Sequence, residues 1–141
     1  MPNAIFNSFK RDIANGSINL ATDAVKIMLV GSTYTPNIDT HAKRSDVTNE
    51  VSGAGYTAGG VALVNKAVTM NTTSDKGVFD ADDITLSNAT ITARGAVLYK
   101  ARGGASSADE LIAYLDFGAD ITSTAGNFNI AFDANGIITI G

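Results

Sequence analysis

The chain has 141 residues, with 10 Lys and Arg against 14 Asp and Glu, a formal net charge of −4, and no cysteine. That is the length of one domain, 1–141, long enough to bury roughly two-thirds of its unfolded surface without a disulfide or metal staple. The missing cysteines exclude a disulfide scaffold, thiolate metal sites and a cysteine nucleophile. The acidic balance argues against nucleic-acid binding, which needs clustered cations to displace phosphate counterions.

Basic residues gather only at Lys10-Arg11 and Lys43-Arg44. Charged residues make up 17 % of the chain, below the usual quarter, so Thr, Ser, Asn, Gly and Ala must cover much of the surface. Such a surface suits a chain that faces other subunits, because charge is depleted at interface cores. A Thr/Asn-rich soluble β domain would look the same. No apolar run approaches the ~20 residues that span a bilayer, so no membrane partner is expected. The start, Met1 to Lys10, lacks the basic region and apolar core of a signal peptide, so the expected product is a soluble cytoplasmic chain.

Phe6, Phe9 and Ile13 follow helical spacing, which predicts a short amphipathic helix over 4–14, capped by Asn3 and stopped at Asn15-Gly16. The remainder, 24–141, reads as a β-sandwich. Ala24 to Val30, apolar on both faces apart from Lys26, predicts a buried central strand. A polar loop from Tyr34 leads to Ser45, which can cap one helical turn with Val47 and Val51 facing inward. The glycine cluster Gly53 to Gly60 opens a strand predicted over Val61–Met70, and Asn71 to Gly77 reads as a turn.

Short strands are predicted at Val78-Phe79 and Ile84–Leu86, with the longest at Thr90–Lys100. Arg102 to Asp109 reads as a loop. Leu111–Phe117 follows as a strand, with Leu111, Leu115 and Phe117 on one face and Ile112 and Tyr114 on the other. Phe128, Ile130 and Phe132 alternate, and Asn135-Gly136 suggests that 127–140 is a hairpin. About eight short strands and one N-terminal helix predict a mainly β domain, a β-sandwich or a partly open barrel.

Few residues suggest chemistry. Gly53, Gly55, Gly59 and Gly60 lack the Gly-Lys-Ser/Thr ending and the following helix of a phosphate loop, so no nucleotide is expected there. Asp80, Asp82 and Asp83 offer oxygen ligands without the glycine and distal Glu of a calcium loop, and read as a solvated turn. His41, the one histidine, has Asp39 nearby, but no Gly-x-Ser-x-Gly elbow accompanies it. Arg94 sits mid-strand, either facing outward or paired with a carboxylate. No catalytic, cofactor or metal residue is assigned, and no enzyme activity is expected.

Several blocks in order carry a resemblance: Phe6 to Ile13, Asn19-Leu20, Asp23 to Leu29, Tyr34 to Asn37, Asp46 to Val51, Gly55 to Gly60, Thr92 to Tyr99, Leu111 to Gly118 and Asn135 to Ile137. Together they resemble a group of small virion structural proteins of tailed bacteriophages, over nearly the whole chain. The resemblance implies a structural role without catalytic residues. It implies a location in the virion after synthesis in the host cytoplasm, and the major capsid protein or other virion subunits as partners.

The leading expectation is a capsid decoration (cement) protein, a homo-oligomer that stabilises the assembled head. Its contact residues would come from Phe6, Phe9, Ile13, Tyr34, Tyr56 and Arg94. Alternatives are a tail, neck or fibre-associated subunit, or a carbohydrate-binding module presenting Tyr34, Tyr56 or Tyr99 beside Asn and Asp acceptors.

Overall fold

The computed structural model describes residues 3–141. Eight strands form two open antiparallel sheets, and one helix packs beside them. The strands are β1 (Asn3–Ile5), β2 (Val25–Val30), β3 (Val61–Ala62), β4 (Ala67–Asn71), β5 (Lys76–Asp80), β6 (Ile84–Lys100), β7 (Leu111–Ile130) and β8 (Ile138–Ile140). The larger sheet runs β1-β7-β6-β2-β3 and the smaller β4-β5-β8. The mainly β, partly open architecture is the expected one, and neither sheet closes into a barrel. No helix among the described residues is long and apolar enough to cross a membrane.

Helix α1 (Asn7–Ala14) is shorter than the predicted 4–14. Residues 3–5 pair instead with Leu115, Tyr114 and Ala113 of β7, and Asn3 spends its side-chain oxygen on the Asp116 amide. Backbone pairing to a neighbouring strand outweighs helical spacing there. The predicted stop holds, with Asn15 at the C-cap and Gly16 in the left-handed region at φ 82°.

Alternation along β2 loads both faces of the larger sheet. Val25, Ile27 and Leu29 enter the main core, which lies between the two sheets and includes Phe9, Phe79, Leu98, Phe128 and Ile138. Met28 and Val30 point the other way, into a second core with Phe6, Tyr34, Val97, Tyr99, Leu111 and Tyr114. Phe6 and Phe9 therefore belong to different cores instead of sharing one helical face. Both are fully buried, and Ile13 is half-buried against the main core.

Other predicted elements change as well. The expected strand Val61–Met70 breaks in two: Val61-Ala62 pairs with β2, Asn65 turns with positive φ, and Ala67 onward joins the smaller sheet. Leu111 and Leu115 fall on opposite sides. A register shift pairs Leu98 with Ala113 but Tyr99 with Leu111, so Ile112 is an extra residue in the ladder. Near residue 45 only a 3₁₀ turn forms, over Arg44–Asp46, and Asp46 rather than Ser45 accepts the free amides of Ala42 and Lys43. Val47 and Val51 then part, one to each core.

The 127–140 hairpin does not form. Asp133 and Gly136 make the tight turn, yet Phe128 pairs with Leu86 of β6 while Ile138 pairs with Phe79 of β5. The turn carries the chain between sheets instead of folding it back. The short strands predicted at 84–86 and 90–100 merge into the 17 residues of β6, and β7 extends over 20 residues to match it.

Candidate interaction surface

Residues 31–60 form a loop layer along the larger sheet, held mainly by polar side chains. Glu50 is central. Its Oε2 accepts from the Tyr56 hydroxyl at 2.6 Å and from the Gly59 amide at 2.7 Å. The Tyr56 hydroxyl also accepts from the amide of Leu29 in β2 at 3.0 Å. Burial, and then the hydrogen bond to Glu50, push the Tyr56 hydroxyl well above the usual tyrosine range, so it stays a donor.

Tyr99 of β6 donates to the Gly59 carbonyl at 2.5 Å, and the Arg44 guanidinium lies 5.1 Å from the centre of its ring. Arg44 Nε in turn bonds buried Asp109 at 2.8 Å. Next to it, buried Glu110 receives two hydrogen bonds of 2.6 Å from Arg102, which hold its carboxyl below the ordinary range. Gly60 permits the close approach of layer and sheet. It sits at φ 86°, and a Cβ there would meet the Ile27 carbonyl oxygen at 1.9 Å.

Tyr34 anchors the outer edge of the layer. Its hydroxyl is hydrogen-bonded to His41 Nδ1 at 2.9 Å, the two rings stack at 5.7 Å, and Tyr114 meets Tyr34 edge-on at 5.9 Å. Burial first, then the nearby Asp46, raise the Tyr34 hydroxyl above its usual range. His41 Nδ1 also accepts the Asn37 amide at 3.3 Å, and Asp39 turns away to accept from Asn7 at 2.7 Å. The histidine is thus a loop brace, without Asp39 as a partner.

Beside this edge lies a groove of about 370 Å³, lined by Asn3, Ala4, Ser32, Tyr34, Thr35, Pro36, Arg94, Tyr114 and Asp116. Arg94 projects outward, 39 % exposed, where β7 bulges: the four residues of β7 between Asp116 and Ile121 stand opposite the single residue Arg94 of β6. Asp116 lies 3.5 Å from Arg94 Nε and Asp120 lies 4.0 Å from its Nη1. These are loose pairs, and the guanidinium keeps donor capacity free. Along β6 and β7 the surface continues as a polar groove of about 500 Å³ with Asn49, Ser52, Thr90, Thr92, Thr122 and Thr124, in which Thr92 and Thr122 hydroxyls bond at 2.9 Å.

Tyr34 and Arg94 thus share one groove, and Phe6 packs beneath it in the same core as Tyr34. Phe9 and Ile13 lie across the sheet, and Tyr56 is part of the loop anchor. The tyrosine platform expected of a sugar-binding module is not presented, because Tyr34 and Tyr99 are buried and all three hydroxyls are bonded internally. The acidic turn is likewise occupied: Asp82 takes Asn65 and Asp83 takes the Phe132 amide. Among the described residues no group of three or more His, Asp or Glu converges to hold a metal. Glu50, Asp109, Glu110 and Asp116 were not legible as site residues, since each acts through a partner at least six residues away or through the β7 bulge.

The fold and surface define a β-sandwich module whose loop layer is hydrogen-bonded to the larger sheet. No family model, curated protein or solved structure matches the chain.

Proposed function

We propose that this chain is a structural subunit of a tailed-phage virion, a decoration protein bound to the outer face of the assembled head. The observation that carries the reading is the polar shelf centred on Arg94, with its loosely held guanidinium beside the Tyr34-Pro36 wall and the threonine groove. A surface already locked by the Glu50 and Arg44 networks loses little entropy on docking, which favours contact with a repeated lattice. Stabilisation of the head then follows by linkage, because the bound subunit contacts only the assembled state. The blocks that resemble virion proteins, Asp46 to Val51, Gly55 to Gly60, Thr92 to Tyr99 and Leu111 to Gly118, all contribute to this shelf or to its anchors.

Cryo-EM of intact virions with quantitative mass spectrometry tests the proposal. Density tiling the head in hundreds of copies is the expected outcome. Low-copy density at the tail, neck or fibres assigns the chain there instead, and absence from the particle rejects a virion role. Arg94→Glu inverts the charge at the centre of the shelf and is expected to weaken binding of the purified protein to undecorated heads by at least about tenfold.

A further inference from the structure

The smaller sheet carries an apolar face that runs beyond the core. Its register sets two rows of side chains on one face, Val68-Phe79-Ile138 and Met70-Gly77-Ile140. Phe79 and Ile138 are buried in the main core, whereas Val68 is 52 %, Met70 81 % and Ile140 45 % exposed. All five residues of β4 are exposed, and β4 is also an edge of its sheet. Ordering a strand costs backbone entropy, and this one recovers little by burial within its own chain.

Gly77 adds the second observation. It lies mid-strand outside the left-handed region, and an added Cβ would meet only the Ile140 carbonyl oxygen, at 3.8 Å. The chain's own backbone and packing therefore leave room for a side chain. A glycine inside a strand is destabilising relative to alanine and often marks close approach by another group. Strands lie about 4.8 Å apart, so Met70 and Ile140 flank a notch about one side chain wide, floored by the Gly77 backbone.

We propose that this face binds a second copy of the chain about a two-fold axis, each Met70 seated in the partner's Gly77 notch. A two-fold contact requires a patch that is its own complement, and this one holds both a knob and a hole. Methionine is unbranched and adaptable, which suits it to enter such a notch. The two rows bear no charged residue, so an apolar partner of the same kind fits and a charged one does not. The inference concerns the isolated chain and is independent of the virion reading.

Sedimentation equilibrium of the full chain, over a series reaching about 0.2 mM, covers the weak dissociation constants expected of a small interface. The wild type is expected to approach twice the monomer mass. Met70→Ser removes the knob and Gly77→Val fills the notch; each is expected to raise the dissociation constant at least about tenfold, or 1.4 kcal/mol. Ile121→Ser, at an exposed apolar site on β7, is expected to change nothing. Met70 is largely exposed, so its variant keeps the test valid should Gly77→Val fail to fold. A wild type that stays monomeric throughout, or association that survives Met70→Ser unchanged, overturns the proposal.

Discussion

Replacing Tyr56 by phenylalanine tests whether the loop layer is held by its polar anchor. The hydroxyl bonds Glu50 at 2.6 Å and receives the Leu29 amide at 3.0 Å. Leu29 is buried, and its carbonyl accepts from Val51, so both its backbone groups face the loop layer rather than β6. Tyr56→Phe therefore strands a buried amide, at about 1–3 kcal/mol, and removes a hydrogen bond to a carboxylate, at about 1.5–3 kcal/mol. Glu50 keeps the Gly59 amide, so the two losses do not add in full, and about 3 kcal/mol is expected. Urea denaturation should show a lower midpoint at unchanged slope, with Tm falling by about 10 °C. Tyr114→Phe is the control: its hydroxyl makes no hydrogen bond among the described residues, and it should cost no more than about 0.5 kcal/mol. If both variants lose the same small amount, the anchor argument is refuted.

Gly60→Ala places a methyl group against the Ile27 carbonyl at a positive φ, and should cost more than about 3 kcal/mol, read as loss of soluble folded protein or a collapsed Tm. Stability should fall on acidification. Arg102 lowers the Glu110 value, and the Ala42 and Lys43 amides lower that of Asp46. A depressed folded value stabilises fully above the unfolded value near 4 and is lost as pH falls through the folded value. Urea midpoints should thus hold between about pH 6 and 5 and drop below about pH 4, with a shallower drop in Glu110→Gln. A midpoint that rises on acidification contradicts the assignment.

The legible parts of the fold were those where local pattern and tertiary demand agree. The β2 stretch is apolar on both faces because both of its faces are buried, and its neighbours Tyr99 and Leu98 in β6 show the same double burial. Asn15-Gly16 end the helix as predicted, with Gly16 free to take a positive φ. No strand is predicted over 118–126, where Gly, Ser, Thr and Asp predominate. These residues extend as strand because β6 offers a continuous ladder, and a pairing partner outweighs weak propensity. The candidate surface was partly legible. Tyr34 and Arg94 stood out by residue type, but the β7 bulge that places Asp116 and Asp120 near Arg94 is a matter of register.

Composition and alternation by themselves determined a mainly β domain of about eight strands, without cysteine chemistry and with polar loops, because burial periodicity is written residue by residue. Tertiary structure alone decided the partners. It sent Phe6 and Phe9 to different cores, joined Ile138 to Phe79 across sheets, and brought Glu50 to Tyr56 and Gly59. The physical reason is that strand pairing and buried hydrogen bonds are satisfied between segments distant in sequence. Local pattern reports that a group must be buried, and only the assembled chain settles against what.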